Sequence, residues 1–181
     1  MRWDERLGGL FEDLEQQAEG LALAERDVEV AELSRAEYAG VDLASRLHAS
    51  TGRAVSLRVR GAGVQRGVLV RVGRDWCLVR STGAERAVDT IVSFDAVDEA
   101  EGLASGAMAE PARGLTAKLG LGSALRGIAE AQETVLLQRV DGHSSRVMLG
   151  RVGADFLEAA ETAGAEPRVV RFSAIAAVHS L

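Results

Sequence analysis

The chain has 181 residues, a net charge of −6, one cysteine and two prolines, enough for one ordinary domain or two very small ones. These numbers exclude a disordered chain and a disulfide-stapled mini-domain, and no apolar run approaches the roughly 20 residues needed to span a bilayer. The start MRWDERLGG lacks the apolar core of a signal peptide, so a cytoplasmic location is the expectation.

Charge is unevenly spread. Residues 1–50 hold 12 acidic against 5 basic side chains, whereas residues 51–100 hold 6 against 8. An acidic chain lacks the summed positive field behind most non-specific nucleic-acid affinity. Only the middle segment offers a local basic surface.

From Leu10 to His48 there is no proline, and apolar side chains keep helical spacing at Leu7, Leu10, Phe11, Leu14, Ala18 and Leu21, then at Leu33, Ala36, Leu43 and Leu47. This pattern predicts a long N-terminal helix, or a broken pair, over residues 1–41 and into the next segment. An unbroken helix of about 38 residues reaches about 57 Å, longer than a small barrel is wide. Two readings stand: a face packed on the rest of the chain, or a dimerising or partner-binding arm whose candidate residues are Leu10, Phe11, Leu14 and Leu21.

Next comes a duplication. VGRDW (72–76) returns as VGADF (152–156), 80 residues later. At the same offset Val55 and Leu57 fall on Val135 and Leu137, Val68 on Met148, and Ala44 and Arg46 on Ala124 and Arg126. After a two-residue deletion IVSFDAV (91–97) lies over VVRFSAI (169–175). Each unit reads as a short helix, DLASRLHA (42–49) or SALRGIAEA (123–131), followed by short strands. AVSLRVRG alternates apolar Val55, Leu57 and Val59 with polar Ser56, Arg58 and Arg60, the period of a half-buried strand. Gly73 with Asp75, and Gly153 with Asp155, sit between strand-like runs, where glycine permits positive φ and aspartate bonds its own turn. Trp76 and Phe156 then begin equivalent strands and fill equivalent cores.

The pattern VSLRVRG…RGVLVRVGRDWCLV…IVSFDAVDEAEGL resembles the Sm-like group of small SH3-type barrels, and VLLQRVDG…VMLGRVGADFLEA…VVRFSAIAAVHSL resembles it more weakly. Together with the start MRWD…LFEDLEQQ, the chain is also similar to a group of high-GC bacterial proteins, some labelled Fis family transcriptional regulator. The resemblance implies an α+β fold, a long N-terminal helix followed by two small SH3/Sm-like barrels related by internal duplication. The expected organisation is a helical arm (1–41), a first helix-plus-barrel unit (42–103), a flexible linker (104–121) and a second unit (122–181). It does not carry over the Sm-type RNA site. Gly73 stands where that site has aspartate, there is no asparagine, and Glu101-Gly102 stands where a basic-glycine pair belongs.

The linker EGLASGAMAEPARG is rich in small residues. The following LTAKLGLGSALRGIAEA faintly suggests a helix-turn-helix, but glycines at 120, 122 and 127 weaken its second helix. A search for chemistry finds no catalytic constellation. His48, His143 and His179 lack metal-ligand spacing, there is no HExxH or CxxC, and Cys77 reads as a small core residue. GAGVQRG joins strands and does not open a helix, so it lacks phosphate-loop geometry. No cofactor or metal is expected. The remaining candidate surface is the arginine set of the first unit, with Arg58 and Arg60 on one strand face and Arg71 and Arg74 flanking the turn. The reading is a non-enzymatic adaptor or scaffold that binds a protein partner or itself through its helical arm and barrels. The alternative is a transcriptional or RNA regulator that grips phosphates with Arg58, Arg60, Arg71 and Arg74, although the aromatics used for base stacking are missing.

Overall fold

The structure is a computed structural model, and it describes residues 38–81, 87–162 and 164–181. The chain divides into a unit of residues 1–41 and a unit of residues 42–181, and the second is described below.

It consists of α1 (Leu43–Ala49), β1 (Ala54–Val59), β2 (Gly63–Val72), β3 (Trp76–Arg80), β4 (Asp89–Ser93), β5 (Val97–Glu101), α2 (Leu121–Ala131), β6 (Thr134–Arg139), β7 (Ser144–Val152), β8 (Phe156–Ala160), β9 (Arg168–Arg171) and β10 (Ile175–Ser180). Phe94–Ala96 and Phe172–Ala174 form equivalent 3-10 turns just before β5 and β10.

The strands overturn the two-barrel expectation. They form one ten-stranded sheet in the order β5-β1-β2-β3-β4-β10-β6-β7-β8-β9, with every ladder antiparallel. The first five strands run in the order β5-β1-β2-β3-β4, with β1 and β5 already paired, so closing them into a barrel requires the two outer strands, β4 and β5, to pair with one another. Here β4 pairs instead with β10, through Val92↔Ala177, Ile91↔Val178 and Thr90↔His179, and β10 continues onto β6. The reason is legible in the side chains. Thr90, Ile91, Val92 and Ser93 of β4 and Ile175, Ala176, Ala177 and Val178 of β10 are all buried, so each strand needs a neighbour on both sides.

The long N-terminal helix is corrected as well. Tyr38 and Ala39 are helical, Gly40 turns, and the chain is non-helical at Val41 and Asp42. Asp42 has extended φ and ψ of −89° and 166°, and its carboxylate accepts the Ser45 N–H at 2.6 Å, capping α1 afresh. No helix therefore runs through to His48. Leu10, Phe11, Leu14 and Leu21, the candidate arm contacts, lie outside the described residues. Among the described residues no helix is long and apolar enough to cross a membrane.

Two cores lie along the sheet. One joins Leu47 of α1 to Leu57, Leu69, Cys77, Val79 and Val92, and takes in Ala176 of β10. The other joins Leu121 and Leu125 of α2 to Val135, Leu137, Val147 and Leu157, and takes in Trp76 and Ile91 from the first set of strands. Residues 104–121, expected as a flexible connection, carry two 3-10 turns and bond back to α1. Ala104 and Met108 receive and donate through Arg46 and the Ser45 carbonyl, and Arg113 donates to Ser45 Oγ at 2.6 Å.

Candidate functional site

The VGRDW turn is a joint between the two sets of strands. The Gly73 N–H donates to the Trp76 carbonyl at 2.8 Å, as Gly153 does to Phe156 at 2.8 Å. The positive-φ glycines are Gly52, Gly61, Gly63, Gly102, Gly142 and Gly164, so Gly73 and Gly153 serve another purpose. A Cβ on Gly73 would lie 2.1 Å from Trp76 Nε1, and one on Gly153 would lie 2.6 Å from Phe156 Cε1. Each glycine exists to let the aromatic ring three residues on lie against the backbone. Asp75 likewise does not close its own turn. Its carboxylate accepts the Leu121 N–H at 2.6 Å, capping α2, while the Trp76 indole N–H and the Arg74 N–H both donate to the Leu119 carbonyl, at 2.9 and 3.0 Å.

The four candidate arginines do not form one patch. Arg58 and Arg60 of β1 bond to acids of β5, Arg58 to Glu99 at 2.8 Å and Arg60 to Asp98 at 2.6 Å. Their charge is matched at short range, and the Glu99 hydrogen bond raises the pKa of Arg58. Arg71 borders a groove of about 390 Å³ with His48, Val72 and Met108. Arg74 lies 3.6 Å from Asp75 and borders a neighbouring groove of about 470 Å³ with Asp42, Glu110, Arg113 and Lys118.

Burial shifts the acidity of Cys77, His179 and His48. Cys77 is fully buried, and burial pushes its thiol up to about 12, far from the thiolate that reacts. Burial lowers the pKa of His179, whose ring bridges Thr90 of β4 and Gln138 of β6 at 3.0 and 2.6 Å. Burial, then the Arg113 charge, lowers that of His48. Among the described residues no three His, Cys, Asp or Glu side chains gather as a metal site.

What the sequence reading missed are the two ends of the sheet. Among the described residues β5 pairs only with β1, and β9 only with β8. β5 is acidic, with Asp98, Glu99 and Glu101 all exposed, and β9 is basic, with Arg168 and Arg171 exposed and Val169 63% exposed. The signal was present in the duplication. Where IVSFDAV lies over VVRFSAI, Thr90 and Ser93 become Arg168 and Arg171, and the apolar run Ala176-Ala177-Val178 of β10 corresponds to Asp98-Glu99-Ala100. The same strand is apolar when it is paired on both sides and charged when it ends the sheet.

No family model, curated protein or solved structure matches this chain.

Proposed function

We propose that this protein is a non-enzymatic adaptor that binds protein by strand addition at the open edges of its sheet. The observation that carries the reading is the pair of unlike edges. An open edge presents a row of backbone donors and acceptors that another strand completes, and here the two edges carry opposite charge. The resemblance to duplicated Sm-like proteins is part of the same proposal so far as it concerns a repeated strand unit. The carboxylates of Glu99 and Asp98 beside Arg58 and Arg60 offset the local positive charge, which weighs against the phosphate-binding alternative. That alternative rests on Arg71 and Arg74, of which Arg74 borders its groove together with Arg113 and Lys118.

The test is recovery of the tagged chain from its native extract, in nuclease-treated and untreated halves. The adaptor reading expects a defined protein retained after nuclease and weakened by Val169→Lys or Glu101→Arg. Partners lost on nuclease treatment, with RNA or DNA recovered and binding falling steeply with salt, would put the regulator first and make Arg71 and Arg74 the residues to change.

A further inference from the structure

The duplication supplies an internal control for one of the grooves. In each unit a groove opens between the helix and the end of the strand that leads into the repeated turn. The first, of about 390 Å³, is bordered by His48 of α1 and by Val70, Arg71 and Val72 of β2. The second, of about 510 Å³, is bordered by Arg126 and Ala129 of α2 and by Gly150, Arg151 and Val152 of β7. At the 80-residue offset Val70, Arg71 and Val72 fall on Gly150, Arg151 and Val152, so the two grooves are the same place in the two units.

They differ in charge, in polarity and in their walls. Arg151 donates to both carboxylate oxygens of Glu158, at 3.0 and 2.8 Å. Where the second unit has Glu158 the first has Leu78, the cross-strand neighbour of Arg71, and among the described residues no side chain pairs with the Arg71 guanidinium. His48 stands where the other unit has Ile128. Isoleucine suffices to pack that helix, yet His48 is 9% exposed and its Nε2 is buried without a hydrogen-bond partner among the described residues. Arg113, Asp42 and the Gly73 backbone lie around the ring, and none of them bonds Nε2. A buried nitrogen left unmet is costly, so packing alone favours the isoleucine. The first groove also has a further wall, Met108 and Thr116, on the segment that bonds back to α1. The Met108 N–H donates to the Ser45 carbonyl at 3.0 Å, and Arg113 donates to the Met108 carbonyl at 3.1 Å. No carboxylate lines this groove among the described residues; Asp42 and Glu110 border the neighbouring one, where Arg74, Arg113 and Lys118 balance them.

We propose that the groove between His48, Arg71 and Met108 binds a small organic oxyanion, a phosphate or carboxylate on a compact apolar body. Arg71 grips the anion, since a guanidinium matches two oxyanion oxygens at once. Val72 and Met108 pack against the body, and the His48 ring gains the hydrogen-bond partner that the chain withholds from it. The volume lies within the range of metabolite-sized sites. This inference goes beyond the adaptor reading and does not depend on it. The competing account is an arginine that is merely solvated on an outer strand face, which taken alone needs no ligand. Against it, the unmatched charge, the buried imidazole and the extra wall meet in one groove, and all three are missing from its duplicate.

The experiment is a calorimetric titration of the full chain with phenyl phosphate, with benzoate as the carboxylate arm and benzyl alcohol as the uncharged one. Phenyl phosphate is expected to bind once per chain with a dissociation constant of about 1 mM or tighter. Benzoate is expected to compete for the same site, the tighter of the two naming the natural anion, and benzyl alcohol is expected not to bind. R71Q, at an exposed position, is expected to weaken binding at least about tenfold with an unchanged melting temperature. R151Q, the same change in the duplicate groove, is expected to leave binding as it was. In nuclear magnetic resonance the His48 Nε2 signal is expected to move as the wild type saturates. No saturation by either anion overturns the proposal, as do equal binding by R71Q, equal loss in R151Q, equal binding of benzyl alcohol or a His48 signal that stays in place. An unphosphorylated oligonucleotide that displaces the probe would also overturn it, and would give Arg71 to the regulator reading.

Discussion

At the scale of single residues, glycine takes its meaning from what its missing Cβ leaves room for. Gly73 and Gly127 are the same residue in opposite situations. At Gly73 an added methyl meets the Trp76 ring at 2.1 Å and the Leu119 carbonyl at 2.7 Å, and the ring cannot swing away without giving up both its burial and its hydrogen bond to that carbonyl. Gly73→Ala is expected to cost about 1–3 kcal/mol, as overpacking does, and Gly153→Ala somewhat less, because only the Phe156 ring stands in the way. Gly127 lies in the middle of α2, exposed, with open space where its Cβ would be. Gly127→Ala is expected to stabilise the chain by about 0.5–1 kcal/mol by reducing the freedom of the unfolded backbone. Urea denaturation of the three variants checks the signs. Equal effects at Gly73 and Gly127 would mean that the ring contact has no energetic weight. The repeated VG.D(W/F) was legible as a turn from the sequence, but its cause was not. Positive φ is the commonest reason for a turn glycine, and a ring laid over the backbone depends on a rotamer that no spacing rule reports.

At the scale of elements, the β4–β10 ladder is the one that the rest of the sheet depends on. Besides its backbone pairs it is fastened by Asp89 N–H donating to Ser180 Oγ at 2.9 Å and by the His179 ring between Thr90 and Gln138. The folded pKa of His179 lies below the ordinary 6.5 because burial penalises the imidazolium. The unfolded chain therefore binds the proton more readily, and stability is fully present above pH 6.5 and falls as pH drops below it. His48 acts with the same sign. Asp42, lowered by its Ser45 hydrogen bonds, and Asp89, lowered by Arg80, lose their contributions only nearer 3.8. Melting temperature is thus expected to decline between pH 7 and 5, with His179→Gln flattening part of that limb. An identical decline in the variant would assign it to His48 alone. Single strands were readable in advance. AVSLRVRG alternates and forms β1, and SALRGIAEA falls within α2. Two things were not. The helical spacing of Leu33, Ala36, Leu43 and Leu47 continues smoothly through Gly40 to Asp42, where the helix is broken, because periodicity cannot detect a phase-matched interruption. The Asp42 cap before Leu43 was the signal to weigh against it. The β4–β10 ladder links residues almost 90 positions apart, and two buried strands show only that each needs neighbours, not which ones.

At the scale of the whole unit, the exchange of core residues across the seam decides whether the two sets of strands are domains. Trp76 and Ile91 belong by sequence to the first set but pack with Leu121, Leu125 and Leu137 of the second, and Ala176 crosses the other way into the core around Leu47 and Leu57. Asp75 caps α2, and Leu119 accepts two N–H groups from the VGRDW turn. Cutting the chain between the sets would expose Trp76 and Ile91, leave the apolar strand β4 as an open edge, and uncap a helix. Each loss removes contacts that the other half supplies, so the terms do not add independently. Duplication made the halves alike, yet the charged outer strands and the apolar inner ones make each dependent on the other. Residues 42–181 are therefore expected to unfold in one transition, with calorimetric and van't Hoff enthalpies equal. Residues 42–113 and 114–181 produced separately are expected to show no cooperative melt alone and to regain one when mixed. Two resolved transitions in the intact chain, or a cooperative melt of either fragment alone, would show instead that the seam joins two autonomous domains and that the shared core residues contribute little to holding them.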